Sequence, residues 1–192
     1  MLHAFNLDVK RSLLTLAVIF ASGMLPLPGA TLERLSLDDL IVRSTAIVRG
    51  TVTGSWAAYT GPIIYTHYKL QVAETLKGAG QNWVEIVVTG GMVNGIHQNF
   101  SGSPTLNRGD EFVFFLWTSK AGLTQIMGLT QGLFALPRDG SSDPAATRAP
   151  TRELMLDPAT AHPVKDAALS MRLTDLRSLI AKTLATGKAG GQ

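Results

Sequence analysis

The side chains that could do chemistry in this chain are few and scattered. Two histidines, His67 and His97, lie mid-chain, and two acids, Asp110 and Glu111, follow a turn. Imidazole and carboxylate together can hold a metal or pass a proton near neutral pH. The HxxxH and HExxH spacings, which bring two imidazoles onto one helix face, are absent. His97, Asp110 and Glu111 could therefore act as a hydrolase-like acid–base group only if folding gathers them at one mouth of the molecule. Ser101 and Ser103 stand in Ser101-Gly102-Ser103-Pro104, which lacks the GxSxG of a nucleophile elbow. A serine hydrolase built on either, with His97 and Asp110, would likewise need convergence in space.

Other short patterns have plainer readings. Gly90-Gly91-Met92-Val93-Asn94-Gly95 is glycine-rich but no Lys-Ser/Thr follows it, so it reads as a bend rather than a phosphate loop. Arg108-Gly109-Asp110 spells an adhesion tripeptide and is also ordinary turn chemistry ahead of a strand. Asn99-Phe100-Ser101 is a glycan acceptor only in a compartment that glycosylates. The chain has no cysteine, which excludes disulfides, thiolate metal sites and cysteine nucleophiles. No cofactor or metal is expected.

A binding surface is easier to place than a catalytic one. Tyr65, His67 and Lys69 alternate along one segment, with Trp56 and Tyr59 just upstream. Such a set offers stacking faces and polar groups together. Single-stranded nucleic acid would need a basic groove as well, and the charge is too weak and too spread for one. Glycan, peptide or an envelope protein remain as partners, and nucleic acid does not.

The elements that must position these residues read as mainly β. The organising segment is Asn107 to Trp117, a turn followed by EFVFFLW. Phe112, Phe114 and Leu116 share one face, and Val113, Phe115 and Trp117 the other, so the strand needs cover on both sides. Strands are predicted over 45–56, 63–76 and 83–89, and shorter ones over 122–127 and 132–137. The small inner-face residues Gly50 and Gly54 predict close approach of a neighbouring strand. Thr31 to Ser44 is predicted to form a short helix that plugs one end of a barrel, with Ser36 as its N-cap and Asp39 three residues on as the capping-box acid. Residues 92–108 read as a long polar loop. Residues 138–165 read as a linker or surface excursion, with a short edge strand over 152–156. Leu169, Leu173, Leu176, Ile180 and Leu184 predict an amphipathic helix over 166–186 that docks on the barrel.

The start of the chain differs in kind. Lys10 and Arg11 precede an apolar run from Leu13 to Leu25, then PLPGA ending at Ala30. The run is shorter than the roughly 20 residues a bilayer span needs. The layout is that of a secretory signal peptide over residues 1–30, cleaved near residues 23–30. Without it, Lys and Arg fall from 17 to 15 and Asp and Glu from 14 to 13, a net charge of +2. A periplasmic or secreted protein is expected, with no transmembrane span in the mature chain.

The succession STAIVRGTV (44–52), YKLQV (68–72) leading to Leu76-Lys77-Gly78, VEIVV (84–88), Leu106 and Gly109-Asp110-Glu111-Phe112 resembles the netrin-like barrel of the tissue inhibitors of metalloproteinases. It is more similar still to exported bacterial proteins that carry this barrel pattern. The resemblance covers roughly residues 36–136 and implies a closed, OB-like barrel over 31–137. The inhibitors chelate zinc through an N-terminal cysteine, which this chain lacks, so the scaffold carries over and the inhibitory mechanism does not. The leading expectation is an exported, non-catalytic binding module. The alternatives are a periplasmic hydrolase-like enzyme and a structural envelope subunit joined through the Leu169–Leu184 stripe.

Overall fold

The computed structural model describes residues 30–189, so the expected signal peptide lies outside the described residues apart from Ala30. The described residues are mainly β, with two α-helices. In chain order, β1 (Thr31–Glu33) leads through a turn to α1 (Leu37–Arg43). Two long strands, β2 (Ala46–Thr60) and β3 (Ile63–Lys77), form a hairpin, and β4 (Trp83–Thr89) extends it. A small hairpin, β5 (Gly91–Val93) and β6 (Ile96–Gln98), precedes β7 (Glu111–Thr118). Then come β8 (Thr124–Ile126), a 3-10 turn (Leu129–Gly132) and β9 (Leu133–Leu136). The last third holds β10 (Ala145–Arg148), β11 (Leu154–Leu156), β12 (Pro163–Val164), β13 (Leu169–Arg172) and α2 (Leu173–Ala189).

The main sheet runs β13-β10-β9-β7-β2-β3-β4, with β8 also paired to β7. It does not close. β4 ends the hydrogen-bonded path, and β8, only three residues long, pairs with the tail of β7. The closed OB-like barrel implied by the resemblance is therefore not formed. The reason lies after β7, where the chain adds β9, β10 and β13 outward instead of returning to pair with β4. A second sheet, β1-β11-β12, joins the first described residues to the segment 154–164, with β1 parallel to β11.

β7 sits where its two-sided apolar pattern requires. Phe114 and Leu116 face one core with Val52, Leu70, Ile86 and Ile126, inside the curl of the sheet. Val113 and Phe115 face the other, with Ile47, Phe134 and the helices. Phe114 and Phe115 are wholly buried, each contributing about 1.5–3 kcal/mol through removal of apolar area from water. Trp117 departs from the expected pattern and is half-exposed, because it lies in the outer end of the strand beside the short β8. Gly50 does meet a close neighbour: a Cβ there would stand 3.0 Å from the carbonyl oxygen of Gln71. Gly54 has open space instead, and both glycines lie at register shifts of the β2–β3 ladder, the usual setting of a bulge.

α1 starts after Ser36 as the capping box predicts, but Thr31–Glu33, expected within the same helix, pair with Leu154–Leu156 as a strand instead. The Ser36 side chain accepts from the Asp39 N–H, and the Asp39 carboxylate accepts from the Ser36 N–H. At its other end, Lys77 Nζ donates to the Ile41 and Val42 carbonyls at 2.7 and 2.9 Å. The helix lies on the outer face of the sheet beside α2 rather than plugging a barrel end. Leu173, Leu176 and Ile180 are buried there, so the stripe docks within the chain, but Leu169 belongs to β13, not to the helix. Residues 138–165 are not a linker. They supply β10 to the main sheet and β11 and β12 to the second one. The side chain of Gln131, buried, fastens the second sheet to the first: its carbonyl oxygen accepts from Leu35 N–H at 2.8 Å and its amide donates to the Glu33 carbonyl at 3.0 Å.

Candidate functional site

Register decides which side chains of the β2–β3–β4 meander share a face. Trp56 pairs with His67, Ala58 with Tyr65, and Gly54 with Lys69. Across β3, His67 pairs with Val87, Lys69 with Glu85 and Gln71 with Trp83. Directly opposite residues point the same way. Trp56, Tyr65, His67, Lys69, Trp83 and Glu85 therefore occupy one face, the one turned away from the inner core. Tyr59 pairs with Ile64, a buried residue of the other face, and so stands apart from the set. The meander is held open to this arrangement by a two-residue turn, Gly61-Pro62, with Gly61 at positive φ.

The face is built of two diagonal contacts that run in parallel. His67 Nδ1 meets Glu85 Oε1 at 2.8 Å, and Lys69 Nζ stands 4.7 Å from the Trp83 ring centroid. Because a carboxylate only accepts, His67 carries its proton on Nδ1 for this bond. The indole of Trp56 stacks on the His67 ring, 5.1 Å between centroids and 12° between planes. His67 is thus a wedged side chain, 15% exposed, with Nε2 sealed and unpartnered. Both tryptophans remain 46% exposed. Each indole is fixed by a polar neighbour and still open to solvent.

Distances along and across the sheet give the size of the platform. Trp56 and Trp83 lie two strands apart and four residues offset, which at about 4.8 Å per strand and 3.3 Å per residue is roughly 16 Å. Trp83 and Glu85 were not singled out from the sequence. Their alternation on the segment WVEIVVT was the signal available for them.

The other candidate residues are not gathered. His97 lies exposed on β6 and lines a cavity of about 250 Å³ with Thr66, Tyr68 and Ser103. Asp110 and Glu111 line a different cavity of about 310 Å³, with Ala135 and Arg138. Both acids are engaged there. Glu111 accepts from Arg49 Nε at 2.6 Å, and Asp110 accepts from the Asn107 N–H at 2.8 Å. Ser101 donates to Glu153 at 2.9 Å, and Ser103 shares a hydrogen bond with Thr89. Gly109 has positive φ and its N–H donates to Val52 O, so Arg108-Gly109-Asp110 is the turn into β7. Among the described residues, no group of three or more His, Cys, Asp or Glu could hold a metal ion, and no helix is long and apolar enough to cross a membrane.

Comparison of this chain with family models, with curated proteins and with solved structures gives no match.

Proposed function

We propose that this protein is an exported, non-catalytic binding module that lays a glycan across the β2–β3–β4 face. The observation that carries the reading is the pair of half-exposed tryptophans, Trp56 and Trp83, each braced by a polar side chain on the same face of the sheet. Sugar rings present apolar C–H faces and a rim of hydroxyls. Indole faces take the former, and Lys69 and Glu85 between them take the latter. Rings already held in place lose little freedom on binding, which favours affinity. A platform of roughly 16 Å suits an extended polymer better than a single small molecule. Export is supported by the charged start, the short apolar run and PLPGA. Thr31, the first residue after the expected cleavage point, already pairs in β1. A netrin-like origin of the scaffold is supported by the β2–β3–β4 meander and the turn into β7, in the order the resemblance requires.

The hydrolase-like alternative loses its basis in residues, since His97 lines one cavity and Asp110 and Glu111 another. The structural-subunit alternative loses its free stripe, which α2 buries against its own sheet.

Retention on insoluble peptidoglycan, chitin and cellulose tests the proposal. The wild-type protein is expected to be retained on at least one of them. Trp56→Ala and Trp83→Ala are each expected to weaken retention about tenfold, about 1.4 kcal/mol, and to leave the circular dichroism spectrum unchanged. The combined Tyr65→Ala, His67→Ala, Lys69→Ala variant should abolish it. No retention by the wild type, or equal retention by the variants, overturns the reading.

A further inference from the structure

A second recessed site lies away from the tryptophan face, where the second sheet, α1 and β13 meet. It is a cleft of about 410 Å³, within the range of small-molecule pockets. Its polar wall holds Arg34, Arg148, Asp39 and Asp157, and its apolar wall includes Leu37, Leu169 and Met171.

The polar groups have unequal commitments. Arg148 and Asp166 form a buried pair, with Nη2 to Oδ1 at 2.6 Å and side chains 6% and 3% exposed. Among the described residues the Arg148 guanidinium is bonded only through Nη2, to Asp166 and to the Ala167 carbonyl, and its Nε is sealed without a partner. Arg34 has no side-chain hydrogen bond at all among the described residues, and its charge reaches both Arg148 and Asp157. Asp39 receives its bonds from Ser36 on Oδ2 alone. Asp157 receives its bonds from Ala159 and Thr160 on Oδ1 alone. Hydrogen bonds from Thr160 and Ala159 hold the Asp157 carboxyl below its ordinary value, and those from Ser36 do the same for Asp39, so both are anions at neutral pH. The cleft thus offers an uncommitted guanidinium and two uncommitted carboxylate oxygens above an apolar floor.

With Arg148 neutralised by Asp166, the remaining charges are one positive and two negative. A simple anion would be repelled by the two acids, and a simple cation would leave the Arg34 guanidinium unanswered. A small molecule carrying both charges satisfies each. We infer that this cleft binds a zwitterionic amino acid with an apolar side chain, its carboxylate toward Arg34, its ammonium toward Asp157 and Asp39, and its side chain against Leu37, Leu169 and Met171. The site is independent of the glycan face.

Calorimetric titration of the protein with L-leucine tests this. Two analogues of the same shape, 4-methylpentanoate without the ammonium and 3-methylbutylamine without the carboxylate, serve as controls. Saturable leucine binding is expected, with each analogue at least tenfold weaker. Arg34→Ala removes an exposed side chain with no hydrogen-bond partner among the described residues, and is expected to weaken leucine at least tenfold with no change in melting temperature. Asp157→Asn keeps the Oδ1 acceptor and removes the charge, and is expected to do the same. Trp56→Ala should leave leucine binding unchanged, which separates this site from the glycan face. Absence of saturable leucine binding, an analogue that binds as well as leucine, or Arg34→Ala binding like the wild type overturns the inference.

Discussion

Replacing Asp166 with alanine leaves the buried Arg148 guanidinium without its counter-charge. Asp166 accepts three hydrogen bonds: from Arg148 Nη2 at 2.6 Å, from the Ala167 N–H at 2.9 Å and from the Thr151 N–H at 2.9 Å. All three are lost together. Burial already lowers the Arg148 pKa, with Asp166 as the counterweight that raises it. Breaking a buried pair from one side costs about 3–5 kcal/mol, because the remaining charge stays desolvated and unpaired. In a protein of this size each kcal/mol is about 2–4 °C, so a drop in melting temperature of roughly 6–20 °C is expected. Arg148→Met with Asp166→Ala removes the charge as well as its partner and should recover much of the loss, since the unbranched apolar side chain occupies the space of the arginine stem and leaves no buried charge. Urea unfolding followed by tryptophan fluorescence reads all four members of the cycle, with an unchanged m-value required for comparison. An Asp166→Ala variant within about 1 kcal/mol of wild type would refute the reasoning, as would a double variant whose loss equals the sum of the singles.

Two further outcomes follow from local chemistry. Ser36→Ala removes the N-cap of α1 and is expected to cost about 1 kcal/mol, read as a shift of the urea midpoint. Hydrogen bonds from Ser36 depress the folded-state pKa of Asp39, so this contribution is present above the ordinary carboxylate value and fades as pH falls through the depressed one; a wild-type-to-Ser36→Ala gap that fails to narrow on acidification would contradict it. Gly132→Ala places a Cβ 2.6 Å from the Met127 carbonyl oxygen and 3.0 Å from that of Phe115, both backbone atoms that cannot swing aside. A loss of about 1–3 kcal/mol is expected, against no change if the 3-10 turn can shift.

Where the sequence could be read, local rules and burial agreed. The third strand spans Trp83–Thr89 as β-branching predicts, and the Ser36–Asp39 capping box forms as written. β10 was hidden because its buried face consists of Ala146 and Arg148, a small residue and a charged one, within a run rich in Ser, Pro and Asp. Hydropathy cannot see a strand whose inward side chain is an arginine paired with Asp166, 18 residues on. Leu169 was misassigned because a spacing of four to Leu173 fits a helix, whereas Leu169 and Met171 alternate inward as a strand does. The barrel failed on topology, since no local signal tells a chain leaving β7 to widen its sheet instead of sealing it. On the candidate face, alternation placed Tyr65, His67 and Lys69 together. Tyr59 falls on the opposite side because it lies three residues from Trp56, an odd step in a stretch of β2 with no register shift, and pairs with Ile64.

The parallel ladder between Thr31–Glu33 and Leu154–Leu156 bears on how the molecule assembles. Its two strands lie about 120 residues apart in the sequence, so the segment at Thr31 has no mate until Leu154–Leu156 has been made. Contacts of such long reach slow folding, because the loop they close must be ordered first. Until then the meander can form, but the edge at Thr31 stays unzipped and Gln131 lacks the backbone it grips. A ribosome-held intermediate cut short before Leu154 would therefore hold a partial sheet with an unpaired strand at Thr31–Glu33, ready for a chaperone or for an unwanted neighbour.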